Sequence, residues 1–348
     1  MFNNLLILDS TIELRVGLYN YLPILDDNDT TLQSYADYIT RKWNERGTNI
    51  TLQVITGQKD ADGSIYDPYG DLSKYLGDGK DSFDLIETDM MLNKELIDLV
   101  VELDGKDIKA ERYIPATVEA VKSSKNNSVY LGFPTLACGN FITQVRQGNE
   151  TIVELKSSNY TEFTETADKA VKEMVSNNAH KRLLGGNLFG SEFYYSTSKY
   201  IDTIVDVVGA NKWEDEIKNL LNGKPNQIVL ERFGHFLTYF QDENGHFGSQ
   251  DDQQIIKNIV EGKTAYFFGF SERLSLILKE DSSKSVKPVG VFSPPFGNKK
   301  DHALLYTDAL VINKKKAMES DEKAKAMKEF AEFFTSTFIK LHNVLNFK

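Results

Sequence analysis

Ile12-Glu13-Leu14-Arg15-Val16-Gly17-Leu18-Tyr19-Asn20-Tyr21-Leu22 places Ile12, Leu14, Val16 and Leu18 on one face, the period-two pattern of a strand. The next stretch decides the fold. Asp29-Thr30 opens a run in which Leu32, Tyr35, Ala36, Ile39 and Trp43 form an apolar stripe at helical spacing. Thr30 and Gln33 have the spacing of a capping box, and Gly47 stands where a helix cap would end it. Asn49 to Thr56 is a second strand rich in β-branched residues. Phe83-Asp84-Leu85-Ile86-Glu87-Thr88-Asp89 is a third, leading into a helical run through Leu92, Leu96 and Leu99. Strands alternating with helices predict a largely parallel, open α/β sheet.

Ligands of such sheets collect at the carboxyl ends of the strands. Those ends carry Tyr19-Asn20-Tyr21, Asp89 and, after a strand near Val129 to Phe133, Cys138. From about Asn140 the pattern turns mainly helical: Thr161 to Ser176, Glu192 to Val208, Trp213 to Leu221 and Gln227 to Gln241. A strand from Thr264 to Phe268 leads into a helix near Ser271. Val286 to Phe292 comes next, Ala303 to Ile312 returns as an apolar strand, and a long amphipathic helix closes the chain. Its stripe is Met327, Phe330, Phe334, Phe338, Leu341 and Leu345. This order predicts two α/β lobes, the first from residues 1–137 plus about 300–348 and the second from about 138–299, with a ligand cleft between them.

The 348-residue chain is 41% hydrophobic and 26% charged, values of a soluble globular protein. Its 51 acidic against 40 basic residues, net −11, argue against nucleic acid and anionic membrane surfaces as partners. No apolar run reaches the length of a bilayer span. The first ten residues have no basic residue and make a poor signal peptide. The compartment therefore depends on the native start, cytoplasmic if that is Met1 and secreted if a leader has been removed.

One cysteine can make neither an internal disulfide nor, alone, a zinc site. Cys138, in Phe133-Pro134-Thr135-Leu136-Ala137-Cys138-Gly139-Asn140-Phe141, reads as an inert core thiol or as a nucleophile. Glu272 comes after Gly269-Phe270-Ser271 at a strand-to-helix turn with Ser271 as the expected N-cap. It reads as a carboxylate favouring a helix dipole or as a general base. The histidines, His180, His235, His246, His302 and His342, lack the paired spacing of a zinc helix. Asp60 and Asp62 ahead of Gly63 lack the later glutamate of a calcium loop, and Gly185-Gly186-Asn187 lacks the lysine of a phosphate loop. Tyr19, Tyr21, Tyr66, Tyr69, Tyr75, Tyr130 and Tyr306 fall near strand ends or loops. With Asp89 and Asp308 they would build an anionic aromatic pocket for a flat cation, or pack between lobes.

Leu18-Tyr19-Asn20-Tyr21-Leu22-Pro23, Glu87-Thr88-Asp89, Pro134 to Cys138, Gly269 to Glu272 and Tyr306-Thr307-Asp308-Ala309-Leu310 occur in the order and approximate spacing of thiaminase I. The chain resembles that family over nearly its whole length. The resemblance implies a two-lobed type 2 periplasmic-binding-protein fold and a nucleophilic Cys138 with Glu272 as its base. It implies a thiamin site built from Tyr19, Tyr21, Tyr75, Asp89, Phe270, Tyr306 and Asp308. Phe270 stands where the bacterial enzymes of the family carry tyrosine. The implied reaction displaces the thiazole of thiamin by an amine, thiol or other nucleophile. It needs no metal or organic cofactor, and a monomer is expected. The competing reading is a solute-binding protein for thiamin or a related small molecule, since the fold alone does not separate catalysis from capture. A cysteine hydrolase is a third reading, without an identifiable histidine partner.

Overall fold

The computed structural model describes residues 11–19, 23–25, 32–57, 65–67, 70–148, 150–176, 180–188, 194–270, 273–283, 285–299 and 303–344. Their strands, in chain order, are β1 Ile12–Gly17, β2 Pro23–Leu25, β3 Leu32–Ser34, β4 Ile50–Ile55, β5 Leu85–Asp89, β6 Phe133–Cys138, β7 Asn140–Gln147, β8 Arg182–Gly185, β9 Thr264–Phe270, β10 Val286–Phe292 and β11 Tyr306–Ile312. The chain divides into two compact units. One draws on Met1–Ala137 and Tyr306–Lys348, the other on Cys138–Leu305.

The first unit is built on a five-stranded sheet ordered β4-β1-β5-β11-β6. β1 runs parallel to β4, with Ile12 opposite Ile50, and parallel to β5, with Val16 opposite Leu85. β11 returns antiparallel to β5. Both sheet faces are covered, so the second half of β11 is apolar: Leu310 and Ile312 pack into one core, Ala309 and Val311 into the other. The first core gathers Trp43 with Phe330 and Phe334 of the helix Asp321–Val344. Trp43 lies edge-on to Phe330 at 5.3 Å, and its indole N–H donates to the Ile50 carbonyl at 3.0 Å.

Several sequence expectations shift in this unit. β1 ends at Gly17 rather than continuing to Leu22. The helix read from Asp29-Thr30 is Tyr35–Asn44: Leu32–Ser34 pairs with Pro23–Leu25 as a strand, and Ser34 caps the helix by accepting the Asp37 amide at 3.2 Å. Asp29 and Thr30 lie outside the described residues. Gly47 takes φ +65° just beyond the helix. The run through Leu92, Leu96 and Leu99 is only a 3-10 turn, Met90–Leu92, and one helical turn, Asn93–Leu96. The strand expected near Val129 to Phe133 lies later, as β6, because Tyr130 makes isolated bridges to Leu103 and Lys122 instead.

The second unit carries a four-stranded sheet ordered β10-β7-β9-β8. β7 is antiparallel to both neighbours, while β8 and β9 run parallel. The sequence pattern shows no strand at 140–147. β7 is buried on both faces and carries Asn140, Thr143 and Gln144 inside, so it has no clean alternation. β9 divides its aromatics between two cores, with Tyr266 and Phe268 in one and Phe267 in the other. Trp213–Leu221 and Val286–Phe292 form at the expected bounds. The helix read to Gln241 ends at Thr238, the helix after β9 spans Leu274–Glu280, and the last strand begins at Tyr306.

Candidate functional site

In the first unit a buried cluster surrounds the carboxyl ends of β1 and β5. Gly17 ends β1 because a Cβ there would lie 2.8 Å from the ring of Tyr66. Tyr66 stacks on Tyr19, centroids 6.4 Å apart and planes at 15°, and donates its hydroxyl to the Glu87 carbonyl. The Glu87 carboxylate, only 3% exposed, accepts from the Tyr35 hydroxyl and from the Tyr19 amide at 3.2 Å. Burial pushes its carboxyl up against those hydrogen bonds, chiefly the one from Tyr35. Glu87 thus fixes three tyrosines at once.

Asp89 ends β5 and caps the following turn, accepting the Met91 amide at 2.8 Å. Its register partner across the antiparallel pair is Asp308 of β11. Burial raises the Asp89 carboxyl, and Asp308 is itself buried. Burial, followed by the charges of Asp308, Tyr66, Glu87 and Asp89, pushes the Tyr19 phenol far above its ordinary value. Tyr19 therefore keeps its proton. Tyr75 packs 5.4 Å from Tyr66 and accepts the Asp67 amide at 3.3 Å, bracing the cluster from outside. Tyr306 is the half-buried first residue of β11. Two facing carboxylates beside phenolic rings attract a cation, preferably a flat one.

Cys138, where the second unit begins, is the last residue of β6 and 7% exposed, and Asn140 is the first residue of β7. Only glycine fits between them, since a Cβ on Gly139 would stand 2.8 Å from the Leu304 carbonyl oxygen and 2.6 Å from the Phe141 ring. Asn140 donates its side-chain amide to the Ser198 hydroxyl. Asn140 is also the register partner of Phe270, the buried last residue of β9, with Phe141 opposite Gly269. β7 thus begins, one residue past the Gly139 joint, opposite the end of β9 at Phe270.

The structure groups the candidate residues in two sets. Tyr19, Asp89 and Asp308 meet in the first unit, with Tyr75 joined through Tyr66. In the second, Phe270 pairs with Asn140, two residues after Cys138. Tyr21, Tyr69, Ser271 and Glu272 lie outside the described residues, as do Asp60 and Asp62. Sequence reasoning missed the part of Tyr35, read only as apolar stripe, and that of Ser198. A hint was available for Glu87, one carboxylate amid the apolar run of a central strand. His180 is engaged elsewhere, facing the Gly262 carbonyl at 2.7 Å and Glu150 at 2.5 Å, and His235 contacts Tyr160 at 3.1 Å. Among the described residues no group of three or more His, Cys, Asp or Glu side chains could hold a metal ion. None of their helices is long and apolar enough to cross a membrane.

No family model and no curated protein matches the chain. Solved structures do. Thiaminase I from Bacillus thiaminolyticus superposes with a TM-score of 0.59 at 17% identity, covering 95% of this chain and 81% of that one. Clostridium botulinum thiaminase I in complex with thiamin gives 0.57 at 16% identity, over 94% and 80%. A bacterial solute receptor with an exclusive preference for β-D-galactopyranose gives 0.59 at 13% identity, over 95% and 78%. The chain has the α/β fold of the periplasmic-binding-protein type that these enzymes and receptors share.

Proposed function

We propose that the chain degrades thiamin, transferring its pyrimidine methylene from the thiazole to an amine, thiol or other nucleophile. The observation that carries this reading is the pairing of Asn140 with Phe270. It brings the strand end next to Cys138 beside the strand end from which the chain reaches Glu272 in two residues. A nucleophile and a base have a use together only if a covalent step occurs.

Glu272 takes the Cys138 thiol proton and passes it to solvent. The thiolate adds to C6 of the pyrimidine ring. The methylene–nitrogen bond breaks with its electron pair going to the thiazolium nitrogen, which leaves as a neutral thiazole. The incoming nucleophile bonds to the methylene and gives its proton to Glu272, and the ring expels the thiolate. Tyr19, Tyr21, Tyr75, Asp89, Phe270, Tyr306 and Asp308 are proposed to hold the substrate, with the two aspartates answering its positive charge. Phe270 offers a ring face without a hydroxyl.

Capture of a small solute without turnover is the second reading, favoured by the equal TM-score of a solute receptor. Intact-mass analysis after incubation with a pyrimidine bearing a leaving group on its methylene separates the two. One adduct per chain, mapped to Cys138, supports the transferase. Unmodified protein under conditions where the ligand is bound supports capture.

A further inference from the structure

Asn140 pairs a donated hydrogen bond with an acceptor that has no use in packing. Its Nδ2 donates to Ser198, yet its Oδ1 is buried and, among the described residues, meets no donor. The residue is 7% exposed. A leucine of similar shape would remove this unmatched oxygen but would also take the donor from the buried Ser198 hydroxyl, so the amide is more than core filling. Its value lies in the bond to Ser198.

Ser198 offers a firm reference point. Its neighbour Lys199, fully buried, bonds Asp202, the Ser293 hydroxyl at 3.2 Å and the Pro294 carbonyl at 3.4 Å. Four residues beyond Asp202, Asp206 accepts the Phe296 amide at 3.0 Å. The helix Tyr194–Val208 is thereby fastened to the segment after β10. Asn140 ties the Gly139 joint to that fastened helix.

We infer that Ser198 and Asn140 are positioning residues for Cys138: the bond between them sets where the thiol sits when it reacts. The inference rests on the transferase reading only for its turnover readout, because thiol reactivity is measurable without thiamin.

The experiment compares wild type, Asn140→Leu, Ser198→Ala and Ser198→Thr. Three quantities are measured: unfolding midpoint, the pH profile of Cys138 alkylation by iodoacetamide, and kcat and KM for thiamin with aniline. Asn140→Leu should remain folded with a midpoint close to wild type, show a displaced alkylation profile, and lose about tenfold in kcat with KM little changed. Ser198→Ala should share the altered profile, and Ser198→Thr, which keeps the hydroxyl, should restore it. Alkylation profiles that superimpose on wild type in both Asn140→Leu and Ser198→Ala overturn the inference, as does a uniform loss of stability that Ser198→Thr fails to recover. If wild type consumes no thiamin, the transferase reading fails and the alkylation profiles still decide the positioning role.

Discussion

Asp89 and Asp308 are register partners across β5 and β11, two carboxylates directly opposite each other in one antiparallel pair. Like charges so placed destabilise a sheet. Asp308→Asn should therefore stabilise the ligand-free protein slightly at neutral pH. The same change should weaken thiamin binding by roughly tenfold or more, while a neutral aminopyrimidine alcohol loses much less. Calorimetry with both ligands checks this; equal losses would assign the pair to pyrimidine hydrogen bonding instead.

Glu87 gives a pH-dependent prediction. Its folded carboxyl is raised above the ordinary value of 4.5 by burial, so the folded state holds the proton more tightly than the unfolded chain. Its contribution is fully favourable below that value and is lost as pH rises through the folded value. Glu87→Gln removes this loss, so its unfolding midpoint relative to wild type should be higher at pH 7 than at pH 4. A difference that does not change with pH contradicts the assignment.

Lys199 is a fully buried cation paired with Asp202. Lys199→Met leaves the carboxylate without its cation and should cost about 3–5 kcal/mol in chemical denaturation. The double change Lys199→Met, Asp202→Leu should cost clearly less than the sum of the single changes.

Gly139→Ala sets a Cβ against the Leu304 carbonyl, a backbone atom that cannot rotate aside. The expected loss of stability is about 1–3 kcal/mol. Iodoacetamide alkylation of Cys138 should change with it, because the joint itself must move.

Much of the fold is legible in the sequence where one local rule decides. Trp213–Leu221 shows its helical stripe, and Ile50–Ile55 its β-branched run. The misread elements have tertiary causes. Ser34 wins the cap because Leu32–Ser34 pairs with a strand seven residues earlier. β7 hides because both faces are buried with polar residues among them. The site divides in the same way. Tyr19, Asp89 and Cys138 are visible as polar or reactive residues at the ends of apolar runs. That Asp308 stands opposite Asp89 depends on a return of the chain more than two hundred residues later, which no local pattern encodes. The bonds of Glu87 to Tyr35 and of Asn140 to Ser198 are likewise products of packing.

The base assignment separates chemistry from capture. Glu272→Gln keeps the shape of the side chain but cannot take a proton, so turnover should fall about 100- to 10,000-fold. Thiamin affinity should fall far less. Surviving turnover with collapsed affinity would make Glu272 a ligand clamp.

The most direct measurement is a time course of thiamin with aniline, resolved by chromatography, for wild type and Cys138→Ser. The account predicts that wild type consumes thiamin and releases the thiazole together with the anilinomethyl pyrimidine, while Cys138→Ser binds thiamin and leaves it intact. Wild type that binds thiamin but never consumes it, or a serine variant that turns over at the wild-type rate, contradicts the account.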